Sequence, residues 1–97
     1  MRIITRQRLA SFWEENHDAE QPLRAWLAEA RHAQWRTPAD IKRTYRSATI
    51  IANNRVVFNI AGNKYRLVVK IHYNRGVVYI RFIDTHAEYD KIDAETI

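Results

Sequence analysis

Between residues 84 and 90 the chain reads Asp-Thr-His-Ala-Glu-Tyr-Asp, placing His86, Tyr89 and the carboxylates of Asp84, Glu88 and Asp90 close together. A histidine gives or takes a proton near neutrality, and a carboxylate can orient it or act as a base. A tyrosine hydroxyl beside cations can donate a proton. Upstream, Arg66 and Arg81 can stabilise a doubly charged, phosphorane-like state. Together these groups form a sufficient kit for attack of an RNA 2′-hydroxyl on its own phosphodiester, with no metal. Two other readings stay open. The three carboxylates can hold a divalent cation, although their spacing matches no familiar binding loop. The stretch can also be a plain terminal turn, with Thr85 as its N-cap and Tyr89 packed on the sheet.

The charge distribution favours a polyanionic partner. Residues 1–35 are neutral overall, residues 36–81 carry a net +9 with Asp40 as the single acid, and residues 82–97 carry −4. A basic block of that size is the footprint of a nucleic-acid binder, and its binding should depend strongly on salt. There is no cysteine, which excludes disulfides, thiol catalysis and cysteine-ligated zinc. The four histidines (His17, His32, His72, His86) stand at no ligand spacing, so neither metal nor cofactor is expected. No apolar run approaches the roughly 20 residues of a membrane span, and the first residues lack the apolar core of a signal peptide. A cytoplasmic protein of one domain, residues 1–97, is the expectation.

The elements that must position these groups follow from periodicity. Arg2–Thr5 reads as a short strand. Leu9, Phe12 and Trp13 recur at helical spacing over residues 6–16, and Leu23, Trp26, Leu27 and Ala30 mark a second helix over about 20–34. Asp18 followed by Gln21 resembles a capping box for that second helix. Thr37-Pro38, with Asp40 three residues after Thr37, opens a short third helix ending near Tyr45. From Ala48 the period changes to two. Four strand-like runs are separated by Asn53-Asn54, Gly62-Asn63 and Arg75-Gly76, the residues that tight hairpin turns demand. The expected fold is α+β: N-terminal helices on one face of a twisted, mainly antiparallel four-stranded sheet, plus the short N-terminal strand.

Two-residue hairpin loops fix which side chains share a face. They set Asn59 opposite Arg66, Val57 opposite Val68 and Arg55 opposite Lys70. In the next hairpin they set Lys70 opposite Arg81, His72 opposite Tyr79 and Val68 opposite Ile83. Alternation then buries Ile51, Val56, Phe58, Ile60, Tyr65, Leu67, Val69, Ile71, Val78, Ile80 and Phe82. Arg55, Asn59, Arg66, Lys70, His72, Tyr79 and Arg81 fall on the other face. Arg55, Lys70 and Arg81 form a row of like charges, which is unfavourable unless an anion relieves it. Either a phosphate backbone does so or the acidic segment 84–95 folds back over it. His72 and Tyr79 can stack a base. No RNA-recognition aromatic motif, GXXG loop or helix-turn-helix signal is present.

The hairpin Phe-Asn-Ile-Ala-Gly-Asn-Lys-Tyr-Arg-Leu (58–67) and the terminal Thr-His-Ala-Glu-Tyr-Asp (85–90) resemble the HigB-type toxins of the RelE superfamily. The opening Met1–Leu9 and the segment Thr37–Tyr45 share the likeness, which covers nearly the whole chain. The resemblance implies a RelE-like fold. It implies an endoribonuclease that cuts mRNA, usually on the translating ribosome, as the toxin of a type II toxin–antitoxin module. It also implies a cognate antitoxin, commonly with a helix-turn-helix DNA-binding domain, through which operator DNA is contacted. Carried over by position, Arg66 matches the superfamily's phosphate-binding arginine, and His86 and Tyr89 are the terminal catalytic candidates. Members of the superfamily differ in which residue serves as acid or base. Arg55, Lys64, Lys70, His72 and Arg81 are the expected RNA or ribosome contacts. The alternative, on the residues alone, is a non-catalytic RNA- or ribosome-binding module.

Overall fold

The computed structural model describes residues 1–97. The chain runs β1 (Arg2–Ile4), α1 (Gln7–Glu15), a 3-10 turn (His17–Ala19), α2 (Glu20–His32), α3 (Pro38–Thr44), β2 (Thr49–Ile51), β3 (Arg55–Ile60), β4 (Tyr65–His72), β5 (Val77–Thr85) and α4 (His86–Tyr89). The strands form one five-stranded sheet in the order β1-β5-β4-β3-β2. The last four make the expected antiparallel meander, while β1 lies parallel to β5 at the far edge. The helical segment thus carries the chain from one edge of the sheet to the other.

Helix periodicity turns Leu9 of α1 and Leu23, Trp26 and Ala30 of α2 onto the sheet, where all four are buried. They meet the odd-numbered residues of β4 (Tyr65, Leu67, Val69, Ile71) and Val56, Phe58 and Ile60 of β3 in one core. Phe58 is its aromatic centre: Trp26 and Tyr45 meet it edge-on at 5.4 and 5.0 Å, and Trp35 stacks on it at 6.0 Å. Truncating such a ring to alanine costs about 3–5 kcal/mol through lost transfer energy and the cavity left behind. At the start of α3, the Thr37 backbone N–H donates to the Asp40 carboxylate at 3.1 Å, as the Thr37-Pro38 signal predicts. Asp18 does not cap α2. The 3-10 turn comes first, and the Asp18 carboxylate reaches instead to Lys64 and Tyr65.

Turn chemistry sets the first two hairpins. Asn53 and Asn54 both have φ of 62°, the left-handed pair that a type I′ turn requires and that asparagine tolerates. Gly62, at φ 68°, lies in the next loop, and Asn59 faces Arg66 as expected. The β4–β5 hairpin departs from expectation in two ways. Its loop is four residues, Tyr73–Gly76, so Lys70 faces Tyr79 rather than Arg81, and His72 faces Val77 rather than Tyr79. A β-bulge then follows: Val69 faces Ile80 but Val68 faces Phe82, leaving Arg81 unpaired. One extra residue inverts the alternation beyond it. Ile83, expected on the polar face, is buried in the core, and Phe82, expected in the core, lies half-buried on the opposite side; Ile51, also expected in the core, packs on that opposite side too, because its register partner is Arg55.

Candidate functional site

The sheet face away from the helices is organised in rows. Nearest the β3–β4 hairpin lie Asn59, Arg66 and Asp84 in register. The next row, Val57, Val68 and Phe82, is apolar, and with Ile51, Tyr89, Ala94 and Ile97 it forms a second small core. Beyond it come Arg55, Lys70 and Tyr79, and then His72 and Val77. The expected floor of cations is therefore divided by an apolar strip, which the segment after α4 covers. That segment does fold back on this face, and it does so through Ala94 and Ile97 rather than through acidic side chains.

This division separates the candidates. Arg55 is buried: its guanidinium donates from Nε to the Ile97 carbonyl at 3.1 Å, from Nη2 to the same oxygen, and from Nη1 to the Asn53 carbonyl at 2.9 Å. Lys64 is tied toward the helices. Its ammonium pairs with the Asp18 carboxylate, which also accepts the Tyr65 hydroxyl at 2.6 Å. The Lys64 ammonium and Tyr65 hydroxyl hold the Asp18 carboxyl below the usual carboxylate range, and Asp18 in turn raises both partners. Arg81 sits exposed on the bulge, where its carbonyl accepts the Arg8 guanidinium. His72 and Tyr79 meet edge-to-face at 5.3 Å, with Lys70 directly opposite Tyr79.

The remaining candidates, Arg66, His86 and Tyr89, gather where β5 ends. Arg66 is half-buried, donates one hydrogen bond from Nη1 to the Asn63 carbonyl at 3.3 Å, and forms no ion pair, even with Asp84 opposite. Its other donors and its whole charge remain available. Asp84 Oδ1 accepts the Thr85 backbone N–H at 2.7 Å, and Thr85 Oγ1 caps α4 by accepting the Glu88 N–H at 3.2 Å. His86 opens α4. Its N–H donates to the Lys64 carbonyl at 3.1 Å, which pins it to the same hairpin that carries Arg66. Its ring is half exposed, with Nε2 3.9 Å from Asp90 Oδ1. Tyr89 packs on Phe82 with ring centroids 6.4 Å apart. No group of three His, Cys, Asp or Glu side chains stands close enough together to hold a metal ion. The sequence reading missed Asp18 as the anchor of this hairpin, because its spacing to Gln21 offered a local role. The bond to Lys64 spans 46 residues, and no short-range pattern reports it.

This end of the sheet presents a guanidinium without an ion-pair partner, Arg66, on the hairpin to which the His86 backbone is bonded. No helix is long and apolar enough to cross a membrane. Among curated proteins no match is found. The family model of HigB toxins, described as the RelE-like toxic component of a toxin–antitoxin system, matches residues 19–92, a span running from α2 through β5 and α4 and containing every candidate above. The chain therefore belongs to the HigB family of RelE-like toxins, the toxic component of a toxin–antitoxin system.

Proposed function

We propose that the chain is an endoribonuclease that cleaves mRNA on the translating ribosome, by metal-independent attack of a 2′-hydroxyl, and that its cognate antitoxin blocks that attack. The observation that carries this reading is the uncompensated Arg66 guanidinium beside the β5–α4 junction, where His86 is pinned by Lys64. In the reaction the ribose 2′-oxygen bonds to phosphorus as the bond to the 5′-oxygen of the next nucleotide breaks. A base takes the 2′ proton and an acid protonates the leaving oxygen, giving a 2′,3′-cyclic phosphate and a 5′-hydroxyl. Arg66 neutralises charge building on the non-bridging oxygens. In this reading His86 transfers a proton, and Tyr89, packed on Phe82, borders the same end of the sheet. Lys70, His72 and Arg81 lie beyond the apolar strip from Arg66 and serve as secondary contacts to RNA or the ribosome.

The test is Arg66→Ala. Arg66 lies on the polar face and contributes no core volume, so the variant should melt like the parent. Losing one preorganised charge partner of the transition state costs on the order of 3 kcal/mol, about a hundredfold in rate. A variant that keeps both its melting temperature and its cleavage rate overturns the assignment. The capped turn and the Phe82–Tyr89 packing also suit a module that only binds RNA. That reading predicts bound but intact RNA in the parent protein.

A further inference from the structure

A cleft of about 560 Å³ opens at the other end of the molecule, between the C-terminal end of α2, the edge strand β1 and the β4–β5 loop. Arg2, Arg31, Arg36, Trp35, Tyr73 and Gly76 are among its lining residues, and none of the residues lining it is acidic. It stands apart from the candidate site. The cleft lies at the Val77 end of β5 and His86 follows the other end, eight residue steps or about 26 Å along the strand. None of the residues assigned to RNA cleavage lines it.

Three features suit it to an anion. First, Arg2, Arg31 and Arg36 are exposed and none takes part in an ion pair, although other arginines of this chain do, such as Arg24 with Glu20 and Arg43 with Asp40. Three guanidiniums around one concavity repel each other without a counter-charge, and each offers the forked donors that match phosphate oxygens. Second, the end of α2 would ordinarily present negative carbonyl dipoles to the cleft. Here the Met1 amino group donates to the carbonyls of Ala30, Arg31 and Ala33 at 3.1, 3.0 and 2.8 Å, cancelling that repulsion. Third, one wall is anchored in the core. Trp35 is almost fully buried, with its ring stacked on Phe58, so that side of the concavity is held by packing.

We propose that this cleft is a second anion site that takes the phosphate groups of a nucleotide or of a nucleic-acid strand, held by Arg2, Arg31 and Arg36. The test is titration of the full chain with inorganic pyrophosphate, ADP and a 2′-O-methyl oligoribonucleotide, which internal attack cannot cleave, followed by backbone and indole NMR. Pyrophosphate should shift the Gly76 amide and the Trp35 indole. Arg31→Ala/Arg36→Ala should weaken that binding by at least about tenfold without lowering the melting temperature, because both residues are exposed. Arg66→Ala should leave it unchanged. Shifts at Gly76 and Trp35 with the oligonucleotide as well mark a strand-binding site, and shifts with pyrophosphate and ADP alone mark a free-nucleotide site. The proposal is overturned if no ligand shifts these resonances, if the double variant binds as tightly as the parent, or if Arg66→Ala abolishes the effect.

Discussion

Arg55 is the residue where charge and structure give opposite expectations. Its position in a basic block invites an RNA contact, yet its guanidinium is buried and spends all three donor nitrogens on the carbonyls of Ile97 and Asn53. Arg55→Ala removes three charge-assisted bonds, each contributing about 1.5–3 kcal/mol where the partners stay desolvated. Asn53 is exposed and Ile97 only half-buried, so their oxygens regain much of their water, and the net loss should fall to about 2 kcal/mol. For a domain of this size that lowers the melting temperature by about 10 °C. Arg55→Lys should rescue little, because an ammonium cannot span both carbonyls as the fork does. Lys70→Ala, one strand over and not engaged by any carboxylate, should leave the melt unchanged. It should instead reduce the salt dependence of RNA binding by about one phosphate contact. Thermal melts by circular dichroism, run beside binding titrations at several salt concentrations, separate the two roles. An Arg55→Ala protein that melts within 2 °C or so of the parent and loses one unit of salt slope would refute the structural role argued here.

Asp18 should govern acid stability. Its folded carboxyl titrates below the unfolded value near 4, so its contribution is present above that value and lost as pH falls through the lowered one. Asp18→Asn should flatten the acid limb of melting temperature against pH, and an unchanged limb counts against the Lys64 and Tyr65 contacts. Deleting Arg81, the unpaired bulge residue, should leave a folded protein, since Ile80, Phe82 and Ile83 keep their partners and faces. Loss of the folded state would instead show that the strand runs without a bulge. Cleavage should persist in EDTA with 2′,3′-cyclic phosphate ends. Abolition by chelator with recovery in Mg²⁺ would move Asp84, Glu88 and Asp90 into a metal site. Antitoxin association should slow as salt rises, and more weakly so for Lys70→Ala; a flat salt profile points to inhibition by bulk on the neutral helices.

Much of the site's scaffold was legible because its determinants are local. The β3–β4 pairing that sets Arg66 between Asn59 and Asp84 follows on the β3 side from an uninterrupted alternation and a glycine-containing turn. The capped start of α4 follows from Thr85 and the residues just after it. Two departures misled the reading of β5. The loop is four residues rather than two, which sets Lys70 against Tyr79 instead of Arg81, and no glycine or proline flags the bulge at Arg81 that then exchanges the faces of Phe82 and Ile83. Arg55 and Arg66 look alike along the chain, both in β-strands and both followed by a run of apolar residues. Only the path of the last residues distinguishes them: it lays Ala94 and Ile97 over Val57 and Val68, closes over Arg55 and leaves Arg66 open.

The sequence by itself determined the element types, the three hairpins, the basic middle of the chain and the kinship to HigB toxins, since each rests on side-chain period, turn residues or motif within a short window. The tertiary structure decided which cations are free. Burying Ile83 against the helices required the extra residue in β5, and that inversion turned Phe82 outward to build an apolar strip across the presumed basic floor. Burial of apolar surface is summed over the whole core, so it can override alternation at one position. The same long-range packing drew Lys64 to Asp18 and Arg55 to Ile97, leaving Arg66 at one end of the sheet and the arginine-lined cleft at the other.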